Sequence, residues 1–297
     1  MTEHRAAFDF RITFTNGGDL AGTGFRIDIP RPDVTPEEVG QLLVKSLGLL
    51  MAGDVELRNL SIFPEAHKGS RTVDAPAVRR RLVELSHPIA HGMITYPGLP
   101  APEISDHLTR DACETSYGPG VRFQIGRISM VANTGTYVDS PFHRFDDGAD
   151  LARLPLERLA DLEGVVVRLA GSRRRGIEAS ELAPYDVAGR AVLLHTGWDR
   201  HWGTDAYGVD APFLTKGATE WLIAEGAALV GIDSVNIDDM GDRSRPAHTG
   251  LLRAGIPIVE HLRGLDALPP SGFRFHAAPP RVERFGTFPV RAYAVIP

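Results

Sequence analysis

The sequence predicts a mixed α/β protein in two units, a small N-terminal α+β piece over residues 1–70 and a larger α/β domain over residues 82–297. Three observations predict it. Two alternating apolar stretches with a turn between them open the chain, a capping box with a helical apolar stripe follows, and beyond residue 82 short continuous apolar runs are interspersed with helical segments.

Taken in order, Phe8–Phe14 and Gly24–Ile29 read as a hairpin, with Asn16-Gly17-Gly18 supplying the turn. Thr35-Pro36-Glu37-Glu38 has the form of a capping box with proline at the first helical position. Val39, Leu42, Leu43, Leu47 and Leu50 then recur at helical spacing, with Gly53 as the expected stop, and Val55–Ile62 reads as a third strand. A stripe of Val39, Leu43 and Leu50 is too apolar to be left in water, so this unit is expected to pack on the main domain or on a neighbouring subunit. The polar, turn-rich stretch His67–Ala77 is the expected boundary. Beyond it, Gly164–Leu169, Ala191–Leu194, Ala227–Ile232 and Ile256–Val259 read as strands. One helix is expected from Thr215 to near Gly226 and a shorter one around His248–Ala254, with 31 glycines and 22 prolines marking substantial loops.

Composition narrows the function classes. The 297 residues carry 32 Lys+Arg against 38 Asp+Glu, a formal charge of −6, which gives no basic footprint for nucleic acid. The runs Arg79–Arg81 and Arg173–Arg175 are too short to change that. A single cysteine, Cys113, cannot make an internal disulfide and fits a reducing compartment. No apolar run reaches the roughly 18 residues of a membrane span, and MTEHRAAFDF lacks a signal-peptide core. The expectation is a cytoplasmic enzyme that handles a small molecule.

The chemistry concentrates in Asn133-Thr134-Gly135-Thr136-Tyr137-Val138-Asp139-Ser140-Pro141-Phe142-His143. If this stretch is extended, Asn133, Tyr137 and Asp139 project to one side, Gly135 leaves a gap, and Pro141 redirects the chain so that His143 turns toward the same pocket. A phenol, a carboxylate and an imidazole then converge as an acid–base set.

This segment resembles the motif His-x-Gly-Thr-His-x-Asp-x-Pro-x-His of the cyclase family that includes bacterial kynurenine formamidases. Around it, Leu85-Ser86-His87-Pro88-Ile89, Gly92-Met93 and Tyr96-Pro97-Gly98 are similar to the family's opening strand and loop. Gly231-Ile232-Asp233-Ser234 with Asp238, and His248-Thr249-Gly250-Leu251-Leu252 running to Ile256-Pro257-Ile258-Val259-Glu260, are similar to its later blocks. The resemblance implies a swivelling β/β/α domain in a homo-oligomer, dimer or tetramer, whose better-known members hydrolyse amide bonds with a divalent metal. Carried over position by position, it makes Asp139, His248 and Glu260 metal ligands and His143 the catalytic histidine. Asn133 and Tyr137 stand where the family pattern has histidines, and a neutral amide or a phenol of ordinary pKa near 10 is a weak ligand. One histidine and two carboxylates remain, enough for at most one Zn²⁺ or Mn²⁺, and a metal-free protein is the other outcome.

Three functions stay open from the sequence. The first is an arylformamidase-like hydrolase of a carbon–nitrogen amide bond using metal-activated water and His143. The second is a metal-free cyclase, isomerase or lyase of secondary metabolism in which His143 abstracts a proton, Asp139 orients it and Tyr137 donates to an oxyanion. The third is a binding protein without chemistry. Asn133, Tyr96 on a stiff Met93–Pro102 flap, and Trp198 are the expected substrate contacts. The ordinary readings are a turn aspartate for Asp139, a partly exposed histidine after a turn for His143, strand filler for Tyr137, and a helix-start histidine and strand-end charge for His248 and Glu260. His87, His91, His195, His201, His261 and His276 read as packing or surface residues.

Overall fold

Alternation shapes the first unit. Strand β1 (His4–Phe14) buries every second residue, Ala6, Phe8, Phe10 and Ile12, and pairs antiparallel with β2 (Asp19–Ile29) on one side and β3 (Ala52–Pro64) on the other. In this computed structural model, which describes residues 4–15, 17–49, 52–65 and 80–297, the chain divides into two units, Met1–Ala77 and Val78–Pro297. Helix α1 (Pro36–Ser46) starts on the expected capping box, with the Thr35 hydroxyl accepting from the Glu38 N–H at 3.2 Å and the Glu38 carboxylate accepting from the Thr35 N–H at 2.8 Å. It stops before Gly53, which lies inside β3. The chain leaves the helix at Gly48, whose φ of 64° is a left-handed conformation suited to glycine. Val39 and Leu43 are buried among Phe8, Phe10, Ile12 and Ile27, so this part of the stripe is covered by the unit's own sheet rather than by an outside surface. Asn16, Leu50 and the boundary segment 67–77 lie outside the described residues.

In the second unit the elements are β4 (Arg81–Glu84), β5 (Glu103–Leu108), α2 (Arg110–Tyr117), β6 (Ile125–Ser129), β7 (Tyr137–Asp139), β8 (Leu162–Arg168), β9 (Gly176–Ile177), α3 (Ala179–Leu182), β10 (Ala191–His195), β11 (Phe213–Leu214), α4 (Lys216–Ala224), β12 (Leu229–Ile232), α5 (Pro246–Arg253), β13 (Ile258–Glu260), β14 (Phe273–His276), β15 (Thr287–Pro289) and β16 (Tyr293–Ile296). Nine of these strands form one mixed sheet in the order β15-β7-β13-β12-β10-β8-β14-β16-β4. Its centre, β8, β10, β12 and β13, is parallel, which explains why those runs are apolar without alternation: both faces are covered. Val192 and Leu194 pack on the face that holds Ala218 and Leu222 of α4 and Leu251 and Leu252 of α5. Leu193 packs on the opposite face with Leu85, Val138, Phe273 and Phe275. The site lies toward the edge of this sheet, where antiparallel β7 and β15 join the parallel core.

Candidate active site

Strand β7 is shorter than the sequence suggests. Gly135 takes φ 67°, which no extended strand allows, so only Tyr137–Asp139 is strand and Asn133 sits in the preceding turn. Tyr137 and Asp139 still share a face. Pairing with both neighbours sets their partners, Tyr137 opposite Glu260 and Asp139 opposite Thr287. Pro141 then opens a single 3₁₀ turn, Pro141–His143, that brings His143 back over the strand. Gly286 makes this possible, because a Cβ there would lie 2.4 Å from the His143 Cα.

Each of the central side chains is held by a second group. Asp139, fully buried, accepts a hydrogen bond from the Thr287 hydroxyl, and Thr287 Oγ1 lies 2.8 Å from His143 Nδ1. The single Thr287 proton goes to the carboxylate, so the His143 Nδ1–H donates to Thr287 and Nε2 is left free. His248 lies in the first turn of α5. The Asp238 carboxylate accepts from the Ala247 N–H at 2.6 Å, the His248 N–H at 3.1 Å and the His248 Nδ1–H at 2.6 Å, capping the helix and fixing the ring. Glu260 accepts from the Tyr137 hydroxyl at 2.6 Å through Oε2 and from the Ile237 N–H at 2.6 Å through Oε1.

These supports aim three atoms at one point. His248 Nε2 lies 3.7 Å from Asp139 Oδ2 and 3.7 Å from Glu260 Oε1, both too long for hydrogen bonds. Asp139 Oδ2 is buried with no hydrogen-bond partner, the kind of orphan that native structures avoid unless something else binds there. On the pocket side, one donor atom each from Asp139, His143 and His248 lies within 4.8 Å of the others. Imidazole and carboxylate donors with carboxylate-held histidine rings suit Zn²⁺ or Mn²⁺.

Burial works against the negative charges of this cage, raising Glu260 to about 7, while His248 draws it back down. Burial opposes a charged His248, yet Glu260, Asp139 and Asp238 outweigh it and raise its pKa to about 10. Burial works against a charged Asp139 as well, but His143 and His248 hold it below the ordinary carboxylate value. Burial first, then the Glu260 charge, pushes Tyr137 well above 10, so it remains a phenol whose proton is committed to Glu260. Behind it His261, fully buried and driven down to about 3 mainly by burial, is neutral. Its Nδ1 lies 2.9 Å from the Tyr207 hydroxyl and its Nε2 lies 3.3 Å from the Tyr137 hydroxyl. From the sequence, Asp238 entered only as part of a family block and His261 as a packing or surface residue, neither with a role in the site. The only local signal for His261 is its place directly after Glu260.

The groups open on a pocket of about 310 Å³ that Tyr96, Asn133, Asn236, Arg144 and Arg245 also line. Tyr96 and Asn133, expected as substrate contacts, thus line this pocket. Trp198, expected with them, is not among its lining residues: its indole N–H donates to the Tyr207 carbonyl at 2.9 Å, and it packs with Tyr207 and Trp202. Arg245 has φ 51°, ψ 60° directly before Pro246, a left-handed conformation that costs about 1–3 kcal/mol in a non-glycine residue.

Comparison with known proteins follows the same lines. A family model described as "Putative cyclase" matches residues 83–239. The kynurenine formamidase of Geobacillus thermodenitrificans (strain NG80-2) is 32% identical over 171 residues, covering 57% of this chain and 78% of that protein. That of Bordetella avium (strain 197N) is 28% identical over 215 residues, 72% of this chain and 97% of the relative. Among solved structures, isatin hydrolase A from Ralstonia solanacearum superposes with a TM-score of 0.64 at 24% identity, over 73% of this chain and 92% of that one. A structure described as a potential metal-dependent hydrolase with cyclase activity gives a TM-score of 0.60 at 25% identity, over 73% and 98%.

Proposed function

The chain belongs to the cyclase family, and from that premise we propose that it hydrolyses a carbon–nitrogen amide bond, with aryl formamides as the nearest substrate analogy. The observation that carries the reading is the unpartnered Asp139 Oδ2 facing His248 Nε2 at the base of the pocket. Asp139, His248 and Glu260 would hold one divalent ion, Zn²⁺ or Mn²⁺, which when bound acidifies a water and polarises the amide carbonyl. All three are at most 6% exposed and each is fixed by its own partner. His143 differs. About a third of its side chain is exposed (34%), and its free Nε2 is the group placed to take a proton from water and return it to the leaving nitrogen. Tyr137 holds Glu260 from behind with His261 against its hydroxyl, and Asp238 holds His248. Because the Tyr137 proton is spent on Glu260, the phenol is a poor oxyanion donor, which favours hydrolysis over the metal-free alternative. The same reading assigns the domain to the swivelling β/β/α type and a homo-oligomer to the working state.

The test combines elemental analysis with aryl formamide turnover. Glu260→Gln should lower metal occupancy. His143→Ala should keep the metal while cutting turnover on the order of 100-fold or more. A His143→Ala protein that loses its metal would make His143 a fourth ligand. One that turns over at the wild-type rate would remove it from the chemistry.

A further inference from the structure

Resting on the amide-hydrolase reading, we propose that the substrate carries a carboxylate remote from the scissile bond, and that Arg245 and Arg144 bind it. Two guanidinium groups line the pocket. Among the described residues neither has a carboxylate within 4.0 Å, although most arginines of this chain that make ion pairs do so at its surface. Arg144 makes no side-chain hydrogen bond among the described residues. Arg245 spends one nitrogen on the Asn236 side-chain oxygen at 2.9 Å and another on the Tyr96 hydroxyl at 3.4 Å, contacts that aim the fork without neutralising it.

The backbone supports the same conclusion. Arg245 is held in the left-handed region ahead of Pro246 by a turn in which the Asp242 carboxylate accepts from the Ser244 N–H at 2.9 Å and hydroxyl at 2.7 Å. A strained residue fixed by its surroundings, lining a pocket with a charge that no carboxylate contacts, is arranged for a ligand. Charge accounting gives the sign. With His248 neutral as a ligand, the carboxylates of Asp139, Glu260 and Asp238 would exceed a divalent ion by one negative charge, and the two arginines would leave the open side net positive. A planar guanidinium matches a carboxylate in two-point contact, and a pocket of about 310 Å³ has room for an aryl ring bearing one.

The experiment compares N-formylanthranilate with formanilide, which share the scissile bond and differ by one carboxylate. Wild-type protein should prefer the charged member in kcat/KM by about 10- to 100-fold, the worth of a charge-assisted contact. Arg245→Met and Arg144→Met should each erode that preference through KM, with Arg245→Lys recovering part of it. Equal use of the two compounds by wild type, or a preference that survives in the double variant, overturns the inference. If neither compound is cleaved, the reaction assignment has failed, and anthranilate binding measured by calorimetry decides this proposal alone. Binding weakened on the order of tenfold or more in the arginine variants supports it. Binding that is absent from wild type, or equal in all proteins, sinks it.

Discussion

The two units bury different things. Among the described residues, every buried side chain of the first unit is apolar, and its charges sit outside in pairs such as Arg5–Asp28 and Arg11–Asp19. The second unit buries Asp139, Asp233, Asp238, His248, Glu260 and His261 within its sheet and loops. A buried charge is costly unless paired or bound. The second unit thus accepts electrostatic costs that the first avoids, and the densest group of them, Asp139, Asp238, His248 and Glu260, is where chemistry is to be sought.

Four substitutions test that contrast, and the largest effect is expected in the second unit. Asp139→Asn should leave the fold standing but abolish metal binding and cut turnover on the order of 1000-fold, as several kcal/mol of transition-state stabilisation go with the ion. Full activity in the variant would dissolve the contrast. In the first unit Phe8→Ala should cost about 3–5 kcal/mol of stability, read from denaturant titration. If it cost nothing, the apolar core there would not be what holds that unit together. Asp238→Asn removes the acceptor that orients His248, and metal affinity measured by competition with a chelator should weaken about 10- to 100-fold. An unchanged affinity would make Asp238 only a helix cap. Thr35→Ala, which deletes one side of the capping box, should lower stability by about 1 kcal/mol with no change in metal content. A larger loss would mean that the cap does more than close α1.

What the sequence displayed depended on range. Hairpin, capping box and helical stripe are local patterns, and Thr35, Glu38, Val39 and Leu43 are where they imply. The exit from α1 was misplaced at Gly53 because two glycines follow the helix and only the backbone dihedral tells which one turns it. In the site, the spacing of Tyr137 and Asp139 was enough to put them on one face. Nothing local shows that Thr287 lies against Asp139 and His143, that Asp238 grips His248, or that His261 stands behind Tyr137, because those pairings arise from strand register and loop closure. Trp198, expected as a substrate contact, packs around Tyr207, a placement that its local sequence does not display.

The long separations within the site also bear on when the proposed ion could enter during synthesis. Tyr137 and Glu260 are 123 positions apart, and Asp139 and Thr287 are 148 apart. At ordinary ribosomal speed, about 5–20 residues per second, Thr287 leaves the tunnel roughly 7–30 s after Asp139. For most of that interval β7 lacks β13, and to its end it lacks β15, so Asp139 waits without its full cage. On the proposed reading, a metal would enter a finished domain rather than a nascent one. It would then act as a late selector that rewards chains whose edge strands have docked in the right register.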